Sequence, residues 1–109
     1  MDFKTYQKDS RQTAKYVDAG ANFIYPTLGL ASEAGEVAGK VKKVMRDDNM
    51  IISEEKRAQI KDELGDVLWY VSQVATELGL DLDEIAQNNL SKLLSRMERG
   101  VLGGSGDNR

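Results

Sequence analysis

The sequence predicts an all-α fold: four helices in a bundle-like arrangement, followed by a short glycine-rich C-terminal tail. Three observations support this. A single proline interrupts 109 residues, and alternating β-branched runs are few. Apolar side chains recur every three or four residues through successive segments, the period of a helix with one buried face.

The first helix is expected from about Phe3 to Val17, with Phe3, Tyr6, Ala14 and Val17 loosely spaced along it. Asp18-Ala-Gly-Ala-Asn22 has the composition of a turn. Pro26 suits the first turn of the second helix, where its missing N–H removes no hydrogen bond. That helix should run to about Arg46 with Leu30, Ala34, Val37, Val41, Val44 and Met45 on one stripe, and Asp47-Asp48-Asn49 should end it. Ser53 before Glu54, Glu55 and Lys56 reads as an N-cap, with acids where the helix dipole favours them. The third helix carries Ile60, Leu64, Val67, Leu68, Val71, Val74, Ala75 and Leu78 and stops at Gly79. Asp81 or Asp83 caps the fourth, which carries Leu82, Ile85, Ala86, Leu90, Leu93, Leu94 and Met97 before Gly100 closes it. One domain over residues 1–100 and a tail over 101–109 are therefore expected.

Composition removes whole classes of chemistry. There is no cysteine, which excludes disulfides, thiolate metal sites and a cysteine nucleophile. There is no histidine either, which excludes imidazole-ligated zinc, Ser-His triads and the Glu-x-x-His di-iron bundle. Hard, all-oxygen metal ligation remains open, and it favours Mg2+, Mn2+ or Ca2+. No apolar run approaches the ~20 residues of a membrane span. The first residues also lack the apolar core of a secretory signal. A cytoplasmic protein without a membrane partner is expected. The net charge of −3, with no basic stripe interleaved with aromatics, argues against nucleic-acid binding.

Two carboxylate pairs carry the chemistry: Glu33-Ala-Gly-Glu36 and Glu63-Leu-Gly-Asp66. Residues three apart are neighbours on a helix surface, so each pair can address one spot. At roughly 100° per residue, Glu63 falls about 60° from the centre of its apolar stripe and Asp66 further round. Glu33 and Glu36 repeat that layout on the second helix. Both pairs thus border the buried seam. One such pair on its own describes a solvated helix face. Two of them facing each other across antiparallel helices would repel strongly unless cations lay between them. The motif therefore reads as a divalent-metal site with Glu33, Glu36, Glu63 and Asp66 as ligands.

The same residues carry a family resemblance. Glu33-x-x-Glu36, 26 intervening residues and Glu63-x-x-Asp66 resemble the signature of the MazG-like, all-α nucleotide pyrophosphohydrolases. The similarity extends through Leu28-Gly-Leu-Ala-Ser-Glu-Ala-Gly-Glu-Val, Lys42-Lys43, Asp62-Glu-Leu-Gly-Asp-Val-Leu-Trp-Tyr70 and Asn89-x-x-Lys92-Leu to the ending Arg99-Gly-Val-Leu-Gly-Gly-Ser-Gly-Asp-Asn-Arg109. One departure stands out: many members carry a further Glu directly before the first motif residue, where this chain has Ser32. The resemblance implies Mg2+-dependent hydrolysis (Mn2+ a substitute) of a nucleoside triphosphate at the α–β bond, releasing the monophosphate and pyrophosphate, as nucleotide-pool house-cleaning. With no histidine, proton removal falls to a carboxylate or to metal-activated water, and Glu33 or Glu36 would orient that water. Two other classes stay open: a helical interaction module with acids on its surface, and a metal-dependent nucleotide sensor without chemistry.

Phosphates that the metals do not neutralise need cations. Lys40, Lys43, Lys92, Arg96 and Arg99 are the candidates. The resemblance places Asn89 and Lys92, which share a helix face, in the nucleotide pocket. Tyr70 lies one turn beyond Asp66 and would either stack on a base or pack at the stripe edge. Trp69 faces away from the stripe, towards surface, base or subunit contact. The tail is either a frayed end or a strap over bound nucleotide, with Arg109 and backbone N–H groups on phosphate. Two apolar stripes and a glycine-lined face leave surface to bury, and the resemblance implies a homodimer or homotetramer.

Overall fold

The computed structural model describes residues 1–108. Among them there are four helices and no strand: α1 (Phe3–Arg11), α2 (Ile24–Asp47), α3 (Glu54–Glu77) and α4 (Leu82–Glu98). Capping chemistry sets most of the ends. Asp2 accepts from the N–H of Thr5 at 2.7 Å to start α1, and Ser53 accepts from Lys56 to start α3. Asp81, not Asp83, caps α4. Asn22 does this for α2 from just outside the helix, its Oδ1 accepting from the Tyr25 N–H at 3.0 Å. Pro26 lies fully buried in that first turn. Gly79 and Gly100 take positive φ (69° and 72°) after α3 and α4. The next N–H then turns back onto the helix, Leu80 to Ala75 and Val101 to Arg96, the glycine-dependent stop expected of such ends.

One boundary differs from expectation. The first helix ends at Arg11, not near Val17. Residues 12–22 instead form a loop held by a buried acid at the far end of α3. The Glu77 carboxylate accepts from the backbone N–H of Gly20 and Asn22 and from the Tyr16 hydroxyl, and it pairs with Arg11. Four donors converging on one carboxylate outweigh a further helical turn or two built from Ala14 and Val17.

Helices α2 and α3 form an antiparallel pair. Gly29 meets Tyr70, Glu33 meets Glu63 and Asp66, and Lys40 meets Glu63. Helix α1 lies along the C-terminal half of α3 through a polar seam: Ser10, Ser72 and Gln73 are buried, and the Ser10 hydroxyl hydrogen-bonds both of the others. Gln7 spends both ends of its amide there, donating to Thr76 and Leu80 and accepting from Leu82. Helix α4 packs on α1 and α3 and not on α2.

The apolar core is small for this length. Among the described residues Val44, Ala75 and Leu82 form the buried hydrophobic core, while Leu28, Met45, Leu64, Leu90 and Met97 each keep more than half of their surface exposed. The radius of gyration is 16.7 Å, against about 13 Å for a compact chain of this size. The accessible surface is 7803 Å², against roughly 6,000 Å² for a monomer of this mass.

Candidate metal centre

The α2–α3 pairing brings three of the four expected ligands together. One carboxylate oxygen each from Glu33, Glu63 and Asp66 lies within 4.8 Å of the other two. Glu33 and Glu63 are half-buried and Asp66 is exposed, as their stripe-edge positions require. Glu36 stays exposed, one turn along α2 from Glu33 and outside the triad. It is near enough for its charge to act on Glu33.

Electrostatics at the triad are those of crowded acids. Glu33 is pushed above the usual carboxylate range, first by a hydrogen bond shared with Glu63, then by burial and by the charges of Glu63, Asp66 and Glu36. Two carboxylates can share such a bond only if one of them holds a proton. The nearby cation is Lys40, whose Nζ lies 4.0 Å from Glu63 Oε1, at the outer limit of an ion pair. It offsets little of the repulsion.

The donor set fits a hard divalent ion. Oxygens bound to one ion stand at most twice the metal–oxygen distance apart, about 4.2 Å for Mg2+ and about 5 Å for Ca2+. The triad's 4.8 Å envelope needs only small side-chain shifts to close on either. Three carboxylates on two rigid helices, with a fourth one turn away, could hold such an ion. The ion would offset the repulsion among these acids.

Aromatic side chains back the triad. The Tyr70 ring lies on the α2 backbone at Gly29, tilted against Tyr25 and edge-on to Trp69. Its hydroxyl is pushed up by burial, then by Tyr25 and by the charges of Glu33 and Asp66. Trp69 donates from Nε1 to Thr13 Oγ1 at 2.7 Å and meets Tyr16 edge-on, so its indole is engaged within its own chain beneath the 12–22 loop. Tyr6, from α1, borders the acids too: its hydroxyl is pushed up by burial and by Asp66.

The remaining expected residues are dispersed. Lys43 is exposed near the C-terminal end of α2. Asn89, Lys92 and Arg96 lie on α4, away from α2. There Lys92 and Arg96 meet Asp107 of the tail, which folds back along the helix. Arg109 lies outside the described residues. Sequence reasoning missed Tyr6 and the buried polar group of Gln7, Ser10, Ser72, Gln73 and Glu77. Polar residues inside an amphipathic helix carry no signal that separates them from a wet face.

Comparison with known proteins places the chain in a family. Residues 26–101, which contain all four carboxylates and Lys92, match the family model for the MazG nucleotide pyrophosphohydrolase domain. The chain is also similar to the protein called Gene 37 protein of Mycobacterium phage L5, 47% identical over 114 aligned positions that cover the whole of both chains. No solved structure matches.

Proposed function

The chain belongs to the MazG nucleotide pyrophosphohydrolase domain family, and from that premise we propose that it hydrolyses nucleoside or deoxynucleoside triphosphates at the α–β bond. The products are the monophosphate and pyrophosphate, and the role is nucleotide-pool house-cleaning. The observation that carries the reading is the triad of Glu33, Glu63 and Asp66 oxygens within 4.8 Å of one another, on the family's own motif.

In this reading Glu33, Glu63 and Asp66 hold Mg2+, and Glu36 joins them by a side-chain rotation from its exposed position. When bound, the ion offsets the substrate's negative charge and polarises the phosphoryl group under attack. The chain's own residues do the rest. A glutamate of α2, Glu33 or Glu36, orients the attacking water and takes its proton, because no histidine exists to do so. Tyr70, packed beneath α2, holds the α2–α3 spacing on which the ligand geometry depends.

One chain does not present a complete site. The phosphate-binding candidates Asn89, Lys92 and Arg96 sit on a helix that makes no packing contact with α2. Roughly 1,800 Å² of surface beyond a compact monomer's exceeds the ~800 Å² per partner of a standard interface. Both features support a homo-oligomer in which cations and acids converge across a subunit boundary.

The test is to incubate the purified protein with a panel of ribo- and deoxynucleoside triphosphates and Mg2+ and to assay pyrophosphate against orthophosphate. Pyrophosphate with matching monophosphate is expected, and E63Q should abolish both. Orthophosphate as the sole product would overturn the bond assignment.

A further inference from the structure

We propose that Asp107 is an internal competitor for the anion seat that Lys92 and Arg96 form on α4, displaced when the polyphosphate of a substrate arrives. The proposal rests on the reading above that these two cations take substrate phosphate, and it adds a control on that site from within the same chain.

The seat is built. Arg96 is a charged side chain on a surface helix, yet only 3% of it is exposed. Its Nη2 donates to the Asp107 carbonyl at 2.6 Å and lies 3.5 Å from the Asp107 carboxylate. Lys92, one turn earlier, reaches the same carboxylate at 3.3 Å. These cations hold the Asp107 carboxyl below its usual range, Lys92 more than Arg96.

The seat is also underfilled. Among the described residues, the Arg96 Nε is buried and has no hydrogen-bond partner. A guanidinium presents Nε and Nη as a fork that suits two oxygens of one anion. Asp107 meets the Nη side of the fork alone and leaves the Nε side unanswered. A phosphate group, with three oxygens around one centre, can meet both sides and Lys92 together. The present occupant is held weakly: Asp107 keeps 85% of its side chain in water. It is also hinged. Gly100 and Gly106 carry φ of 72° and 84°, and Gly103 and Gly104 lie between them, so the tail can swing away without side-chain strain.

Titration calorimetry of the full chain with inorganic pyrophosphate, dialysed free of metal, tests the proposal in wild type, D107N and D107E. Neutralising one largely exposed charge against two cations should tighten pyrophosphate binding about two- to fivefold. D107E should stay near wild type, and the melting temperature of D107N should fall by no more than a few degrees, the stability that the same contact contributes. In steady state, the KM of D107N for its best triphosphate should fall by a similar factor with kcat unchanged. Equal or weaker pyrophosphate binding by D107N, or no binding by either protein, would overturn the proposal. The arms separate it from the catalytic reading. Tighter pyrophosphate binding by D107N without triphosphate turnover would retain the competitor and sink the hydrolase. Normal turnover with an unchanged D107N affinity would do the reverse.

Discussion

The Tyr70 ring lies so close to the backbone of α2 that Gly29 has no room for a side chain. A β-carbon built there would come within 2.6 Å of the ring's Cδ1, and nearer still to Cε1 and Cζ. Gly29 also lies one turn before Glu33, so this contact sets the separation of the helices that carry the acids. Replacing Gly29 with Ala gains up to about 1 kcal/mol of helix propensity, but overpacking costs about 1–3 kcal/mol. We expect G29A to lose about 1–2 kcal/mol in denaturant unfolding. Emission from Trp69, the single tryptophan, should shift because its ring rests edge-on against Tyr70. Adding G29A to Y70A should cost nothing, a coupling that a double-mutant cycle reads directly.

Glu77 supplies the pH dependence at the acid end. Burial alone would push its carboxyl up, but the N–H groups of Asn22 and Gly20, the Tyr16 hydroxyl and Arg11 outweigh that and hold it at about 2. A depressed carboxyl adds stability above its unfolded pKa and loses it as pH falls towards the folded one. The window therefore runs from about 4.5 down to about 2. At neutral pH, E77Q should cost about 2–4 kcal/mol. The gap between the two proteins should close as pH drops through that window. Chemical denaturation at pH 7 and pH 2 measures both ends.

Glu33 works in the opposite direction. Its carboxyl is raised, so the metal-free protein loses stability as pH climbs past the ordinary carboxylate range. E63Q removes the neighbour that contributes most to that shift. We expect metal-free E63Q to match or exceed wild type by up to about 1 kcal/mol at pH 7, while its turnover disappears.

Added Mg2+ should reverse that ranking. A ligand at a hundredfold excess over its Kd stabilises the folded state by about 2.7 kcal/mol. The melting temperature of wild type should rise with Mg2+ and fall back on chelation, and that of E63Q should barely move. A flat wild-type response would remove the triad as a metal centre.

Light scattering should give a mass of at least twice the 12.1 kDa chain. Leu64, on the apolar stripe of α3, keeps more than half of its surface exposed. L64E should lower the measured mass towards one chain.

Helix order, caps and stops were legible because they are local. Ser53, Asp81, Gly79 and Gly100 act through hydrogen bonds to residues a few positions away, and their chemistry can be read in place. The motif carboxylates were legible for the same reason: their three-residue spacing and stripe-edge positions follow from helix geometry alone. The end of α1 at Arg11 was not legible, because it depends on Glu77, 66 residues further on. Nor was burial of Gln73 and Ser72, since a polar side chain looks solvated until Ser10 arrives from another helix to satisfy it. The apolar stripes said that faces must be covered without saying by what, and Leu64 and Leu90 remain open to solvent in a single chain. By itself the sequence determined the number and order of the helices, though not the end of α1, and which acids could share a metal. Tertiary structure decided that Glu33, Glu63 and Asp66 meet, that Trp69 is engaged internally and that Asp107 returns to Arg96, because each depends on contacts between segments distant along the chain.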